Sequence, residues 1–222
     1  EPVHRKYQLT RPYILYVSAL DHPRKNHLTL LDAYELLLKS RPDAPDLVFV
    51  GPDFFHAETI HRAIQRPSLG GRVHALGYVP DQWLPILYRE ATLFVHPSPL
   101  EGFGYPLVEA MAFGLPVVCA DTEIFREIGG AAPVFFDPKQ PKDIAAKIAM
   151  LLADPALQEE RSRKGLEQAK CYQSDRGIRE LLRLYDTLMQ RPLMPRDDGQ
   201  ATNADSCSHP SLERIEQSSS QV

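Results

Sequence analysis

The chain has 222 residues, of which 43% are apolar, and this is enough to bury one sizeable core but not two full domains. Its formal net charge of -4 excludes the excess of positive charge with which proteins bind along nucleic acids. It has no run of 18 or more apolar residues, no charged-then-apolar leader and no paired cysteine spacing. We therefore expect a cytoplasmic protein without a membrane span, a disulfide framework or a zinc site.

Short apolar runs alternate with longer amphipathic stretches, a pattern typical of parallel β-α-β units. The runs are rich in β-branched and aromatic residues, as expected for strands that helices cover on both faces. The sequence therefore predicts an α/β fold with an open, doubly wound parallel sheet of about six strands. The predicted strands are Tyr13-Ser18, Leu47-Gly51, Val73-Leu76, Leu93-His96, Pro116-Ala120 and Pro133-Phe136.

Helices are predicted between these strands from apolar residues at helical spacing. The clearest follows Asn26, a residue type favoured at helix N-caps, and has apolar residues at positions 30, 31, 34, 37 and 38. The composition turns polar from Arg191, which predicts a disordered tail at 191–222. The other predicted helices are His56-Arg66, Gln82-Glu90 capped by Asp81, Tyr105-Phe113, Lys142-Ala153, and a helical region from Pro155 to about Gln190.

The loop after the first strand, residues 18–26, is a candidate anion site, because doubly wound sheets bind ligands beyond the carboxyl ends of their strands. It lacks the Gly-x-Gly-x-x-Gly pattern of nicotinamide and flavin oxidoreductases. It carries Arg24 and Lys25 just before a helix N-terminus, where free N–H groups and the helix dipole also favour anions. A diphosphate could bind here. The alternative is that both basic residues are solvated surface.

A second candidate is the Gly-rich loop that joins the fourth strand to the next helix. Glu101 lies in this loop and Glu109 about one turn into the helix, so both carboxylates can face one crevice. Gly102 and Gly104 let the main chain approach a ligand, and carboxylates beside free amides suit the hydroxyl groups of sugars. The alternatives are a solvated loop acid and a helix-stabilising charge. His96, at the strand end, is interpreted as a packed residue and not a general base.

Residues Tyr13 to about Asp137 resemble the C-terminal domain of the group 1 glycosyltransferases, also called family 4, which are retaining enzymes of the GT-B architecture. The resemblance implies a Rossmann-like, nucleotide-sugar-binding domain at residues 12–190, preceded at residues 1–11 by a linker from a missing N-terminal acceptor domain. It is carried by residues 16–20 with 23–26, by 49–52 and 76–79, and by Pro97-Ser98, Glu101-Gly102-Phe103-Gly104, Pro106-Leu107-Val108-Glu109-Ala110-Met111 and residues 114–118.

The resemblance also implies roles for individual residues. Glu101, the first glutamate of an E-x7-E motif, would hold hydroxyl groups of the donor sugar, and Glu109, the second, would bind the ribose. Lys25, helped by Arg24, would neutralise the diphosphate, so Glu101, Lys25 and Arg24 are the candidate catalytic residues. The other candidate donor-binding residues are Gly102, Phe103, Gly104, Leu107 and Val108 along the sugar and diphosphate, Tyr78 and Val79 at the base, and Gly51 at the mouth of the pocket.

The sequence departs from the family pattern at one point. Many members have Gly-Arg after the first strand, with the arginine on the phosphates, whereas this chain has Ser18 and Ala19. The phosphate-clamping role at Ala19 is therefore vacant, and Arg24 is the candidate to compensate. A non-catalytic module that binds a sugar nucleotide or a partner remains an alternative. A glycoside hydrolase would also pair two carboxylates but has no use for a phosphate site.

The expected activity is transfer of a hexosyl group with retention of configuration, by front-face displacement and without a protein nucleophile, cofactor or metal. The resemblance implies a nucleotide-diphosphate sugar as the donor, with GDP-mannose and a UDP-sugar as the two candidates. The acceptor, a glycan or a lipid-linked molecule, would bind through the missing N-terminal domain, in bacterial polysaccharide or lipopolysaccharide assembly. These expectations include no nucleic-acid partner, and they allow peripheral association with the inner face of the membrane.

Overall fold

The computed structural model describes residues 2–172 of the chain. The strands are β1 (Tyr13–Val17), β2 (Asp46–Val50), β3 (Val73–Ala75), β4 (Leu93–His96), β5 (Val117–Ala120) and β6 (Val134–Phe136). The helices are α1 (Pro2–Tyr7), α2 (His27–Ser40), α3 (Ala57–Ile64), α4 (Leu84–Glu90), α5 (Tyr105–Ala112), α6 (Glu123–Gly129), α7 (Pro141–Ala153) and α8 (Pro155–Ala169). Short 3-10 turns occur at Pro67–Leu69 and Lys170–Tyr172.

The six strands form one parallel sheet with the order β3-β2-β1-β4-β5-β6. The chain first runs outward from β1 to β3, then returns to the other side of β1 and continues through β4 to β6. This order opens a crevice between β1 and β4, beyond their carboxyl ends, which is where doubly wound sheets bind their ligands. The predicted α/β fold is confirmed.

Apolar residues fill both faces of the sheet, because the connections between consecutive parallel strands cross over it and carry helices that cover it. All residues of β2, β4 and β5 are buried. Helices α2 and α7 pack against each other, and α5 packs against α8. The core therefore fixes the starts of α2 and α5, which follow β1 and β4 and flank the crevice.

Two helices differ from the sequence prediction. Helix α1 lies in residues 1–11, where we expected no element before Pro12, and Tyr7 at its end makes an edge contact with Trp83 at 6.1 Å between ring centroids. Helix α6 was not predicted, and it begins after Thr122, whose hydroxyl accepts a hydrogen bond from the Phe125 amide at 3.3 Å. Both helices have fewer than two full turns, too few for a clear apolar period.

Of two predicted cap positions, one is confirmed and one was wrong. Asn26 does occupy the N-cap position of α2, but its side chain makes no capping hydrogen bond and bonds to other loops instead. Helix α4 begins at Leu84 with Trp83 in the cap position, two residues beyond the predicted cap Asp81. The helical region that we predicted to about Gln190 reaches Tyr172 within the described residues, and the rest of it, like the tail at 191–222, lies outside them.

Candidate functional site

The loops that follow β1 and β4 meet at the crevice where the strand order reverses. They form a cleft of about 600 Å³ whose lining includes Arg24, Lys25, Glu101, Gly102 and Ala19. A recess of about 250 Å³ shares Ala19, Lys25 and Glu101 with the cleft and continues toward the start of α5. The structure thus brings the three candidate catalytic residues to one place.

Lys25 and Glu101 form an ion pair at the centre of this site. The Lys25 Nζ atom lies 2.7 Å from Glu101 Oε1, and the exposed fractions of the two side chains are 25% and 13%. His96 Nε2 contacts the same carboxylate oxygen at 3.1 Å. The carboxylate of Glu101 is therefore held from two sides, by the loop after β1 and by the end of β4.

These contacts decide the charge of Glu101. Burial alone would raise its pKa, but the hydrogen bonds from His96 and Lys25 outweigh burial and lower the pKa to about 2. Burial lowers the pKa of His96 against the opposing effect of Glu101, so the imidazole is neutral at neutral pH. The site consequently combines a permanent carboxylate with one lysine cation.

Arg24 lies at the outer part of the cleft. Its guanidinium forms an ion pair with Asp21 at 2.5 Å, lies 5.5 Å from the centre of the Phe54 ring, and has a side chain that is 57% exposed. The carboxylate of Asp21 is almost fully buried, so it ties Arg24 to the loop. Arg24 can turn toward an anion in the cleft only by sharing or releasing this partner.

Asn26, next to Lys25 in the chain, joins the loops that follow β1, β4 and β6. Its side-chain amide donates hydrogen bonds to the carbonyl of Pro97 at 3.0 Å and to that of Pro138 at 2.8 Å. The hydroxyl of Tyr16 donates to the carbonyl of Lys25 at 2.8 Å. The main chain that carries Lys25 is thereby fixed to β1 and to the loops after β4 and β6.

Glu109 is exposed on the first turns of α5 and accepts a hydrogen bond from the buried Tyr88 hydroxyl at 2.7 Å. Burial and the neighbouring Glu109 carboxylate raise the pKa of Tyr88, so the tyrosine stays protonated and acts as the donor. One oxygen of Glu109 is thus oriented by a residue from α4. No local sequence pattern links Tyr88 to Glu109, so the sequence did not indicate this contact.

We expect Tyr88→Phe to lower the free energy of unfolding by about 1 kcal/mol, because one hydrogen bond to an exposed carboxylate is lost. If Glu109 binds the ribose, as the sequence resemblance implies, nucleotide affinity should fall about threefold to tenfold, since the carboxylate loses its orientation. Chemical denaturation and calorimetric titration measure the two quantities. Tyr34→Phe is the matched control, because its hydroxyl donates to Pro45 far from the cleft at 2.8 Å. An equal loss of affinity in both variants would contradict the prediction.

The three site glycines serve different purposes. A Cβ atom on Gly51 would lie 2.2 Å from the carbonyl oxygen of Ser18, so this glycine lets the ends of β1 and β2 approach. Gly104 has a φ of +91°, and a Cβ there would lie 2.7 Å from the Phe125 ring. Gly102 has open space around it, which leaves its main chain accessible from the cleft.

The remaining candidate residues lie around the start of α5 and beyond β3. Tyr78 is 67% exposed, whereas Val79 beside it is buried. Phe103 lines the recess, and its ring lies 4.7 Å from that of Tyr105. The side chain of Leu107 is buried, and its amide donates to the Gly104 carbonyl at 2.9 Å. Val108 is partly buried against the core.

Within residues 2–172, no group of three or more histidine, cysteine, aspartate or glutamate side chains is arranged to hold a metal ion. In the same part of the chain, each helix is too short or too polar to cross a bilayer.

The family model described as "Glycosyl transferases group 1" matches residues 3–168. The chain belongs to this family. The proteins that it resembles include the O-antigen chain mannosyltransferase B of Escherichia coli, 38% identical over 189 residues, which are 84% of this chain and 49% of that protein. A phosphatidyl-myo-inositol mannosyltransferase of Mycobacterium tuberculosis is 29% identical over 182 residues, 79% of this chain and 47% of the relative.

Among solved structures, the sucrose-phosphate synthase of Thermosynechococcus elongatus superposes with a TM-score of 0.73 at 26% identity, covering 84% of this chain and 48% of the synthase. The architecture is that of the Rossmann-like C-terminal domain of GT-B glycosyltransferases, as the sequence resemblance implied. The chain spans about half the length of each of these three proteins.

Proposed function

We propose that this chain is the donor-binding half of a retaining mannosyltransferase that uses GDP-mannose. The observation that carries the proposal is the Lys25–Glu101 pair at the reversal of strand order, with Glu109 on the adjoining helix. Both relatives are named as mannosyltransferases, which supports mannose as the sugar. The name of the Escherichia coli relative also supports O-antigen as the product. A UDP-sugar is the second candidate for the donor.

The chemistry of the site fits this role. The nucleoside diphosphate that leaves is highly charged, and preorganised cations lower the free energy of such a leaving group in the transition state. Lys25 is already directed into the cleft, and Arg24 stands at its edge. Glu101 and Glu109 are acceptors, suited to the hydroxyl groups of the sugar and of the ribose. None of these roles requires a protein nucleophile, a cofactor or a metal.

The acceptor is proposed to bind through an N-terminal domain that precedes this chain in the whole protein. A glycan or a lipid-linked saccharide fits the relatives' names, which include an O-antigen chain enzyme and a phosphatidyl-inositol enzyme. A lipid-linked acceptor would place the whole protein at the inner face of the cytoplasmic membrane.

A second candidate is a module that binds the sugar nucleotide without catalysing transfer. Ala19 favours it, because Ala19 lines both the cleft and the recess and brings no positive charge to the position where many members have arginine. The two candidates differ in transfer by the whole protein and not in donor binding. Release of GDP from GDP-mannose by the whole protein, with or without acceptor, would support the transferase and contradict the non-catalytic module.

Calorimetric titration of the full chain with GDP, UDP and ADP tests the donor site. We expect saturable binding of GDP and a loss of about tenfold to a hundredfold in Lys25→Ala, since a charge-assisted contact is removed. Lys39→Ala is the matched control, because Lys39 pairs with Glu35 on the exposed face of α2. Binding of none of the three nucleotides at millimolar concentration, or equal losses in both variants, contradicts the proposal.

A further inference from the structure

His96 is a polar residue inside an otherwise aromatic pocket. Its side chain is 1% exposed, and its ring lies 4.8 Å from Phe125, 5.5 Å from Tyr16 and 5.8 Å from Phe94, measured between ring centroids. The single polar contact of this ring among the described residues is the one to Glu101.

The contact fixes the position of the imidazole proton. A carboxylate has no proton to donate, so the bond between Nε2 and Glu101 Oε1 requires the hydrogen on Nε2. The neutral ring then carries its lone pair on Nδ1, which has no partner among the described residues. Burial keeps the ring neutral by lowering the pKa of His96.

Both donors to Glu101 use the same oxygen. Lys25 Nζ and His96 Nε2 each reach Oε1, at 2.7 and 3.1 Å. Within residues 2–172, no group donates to Oε2, and Glu101 lines both the cleft and the recess. One carboxylate oxygen is therefore tied to the chain, while the other keeps its full capacity to accept hydrogen bonds.

We propose that His96 is a positioning residue that, through its Nε2–H tautomer, turns Glu101 so that Oε2 faces the sugar of the donor. The proposal rests on the proposed function, because it assigns Oε2 to the hydroxyl groups of the sugar. Lys25 alone could hold Oε1, but a single flexible ammonium leaves the carboxylate free to rotate about that bond. The second, rigid donor from β4 removes this freedom.

The test compares GDP-mannose with GDP in His96→Phe and His96→Gln, by calorimetry on the full chain. Phenylalanine preserves the aromatic packing but removes the donor, whereas the glutamine amide can restore an N–H near the Nε2 position. We expect His96→Phe to weaken GDP-mannose about tenfold and GDP less than twofold, with His96→Gln recovering most of the loss. Equal weakening of both ligands indicates a structural role and overturns the proposal, as does unchanged affinity for both.

A second measurement does not depend on ligand binding. Long-range proton–nitrogen NMR of the imidazole, assigned by its disappearance in His96→Gln, reports which ring nitrogen carries the proton. We expect the Nε2–H tautomer in the wild type and its loss of preference in Glu101→Leu. An Nδ1–H tautomer overturns the inference. If GDP and GDP-mannose both fail to bind the wild type while the tautomer is as expected, the proposed function fails and the His96–Glu101 arrangement stands.

Discussion

Replacing Gly51 with alanine is expected to lower the free energy of unfolding by about 3–5 kcal/mol, at the upper end of single substitutions. The added Cβ would lie 2.2 Å from the Ser18 carbonyl oxygen and 2.9 Å from the Ala19 amide nitrogen, and the φ of +151° is itself unfavourable for alanine. All the overlapping atoms belong to the main chain. They cannot rotate away as the end of a side chain could.

Hydrogen bonds hold both sides of this overlap in place. The amide of Ser18 donates to Val50 at 2.8 Å, and that of Gly51 donates to Gly77 at 2.9 Å. The overlap of the added Cβ with the main chain can therefore be removed only if the ends of β1 and β2 separate, which displaces Ala19 in the cleft. Chemical denaturation measures the change.

Gly71→Ala is the matched control for Gly51→Ala. Gly71 also has a positive φ, +72°, but a Cβ there meets nothing within 4 Å. We expect Gly71→Ala to lower the free energy of unfolding by about 1 kcal/mol, because only the positive φ is unfavourable for alanine there. If Gly51→Ala lowers the free energy of unfolding no more than Gly71→Ala does, the close approach of the two strand ends is not the reason that position 51 requires glycine.

Acidification from pH 6.5 toward pH 3 is expected to destabilise the chain through His27, by up to about 1.4 kcal/mol for each pH unit. Burial lowers the pKa of His27 from 6.5 to about 3, against the attraction of Asp21 and with the help of His22, Lys25 and His96. The unfolded chain binds this proton near pH 6.5, whereas the folded chain binds it only near pH 3. The contribution of neutral His27 to the free energy of unfolding is therefore fully present above pH 6.5 and is lost as the pH falls from 6.5 to about 3.

The variant His27→Phe isolates this effect. His27 is fully buried between the rings of Tyr16 and Phe49, at 4.9 and 5.0 Å, and neither ring nitrogen has a partner among the described residues. Phenylalanine keeps the ring and removes the titration. Unfolding free energies measured from pH 7 to pH 4.5 should fall less steeply in the variant, and parallel pH profiles would rule out His27 as the cause.

The strands could be predicted because short apolar runs are a local property of the sequence. Predicted and observed strands differ by at most one residue at each end, for example Tyr13-Ser18 against Tyr13–Val17. Helices α1 and α6 escaped because a helix of six or seven residues shows too little of the apolar period. The order of the strands follows from packing between distant elements, which composition and periodicity do not encode.

The site was predictable in its members but not in its contacts. Lys25 and Glu101 were both predicted, 76 residues apart in sequence, yet nothing in the sequence indicated that they bond directly. The contact of His96 with Glu101 was missed because a histidine after an apolar strand has an equally good explanation in packing. Among these side-chain contacts of the site, only the ion pair between Arg24 and Asp21 has a local signal in the sequence, because the two residues are three positions apart.

The cross-link made by Asn26 has an entropic consequence. One amide group fastens the loops after β1, β4 and β6 to each other, and Tyr16 fastens the same main chain to the sheet. The backbone beside Lys25 therefore has little conformational entropy left to lose when an anion binds, and more of the contact energy remains as affinity. A stiff cleft of this kind discriminates among ligands by shape, since it cannot remodel itself around a poorly fitting one.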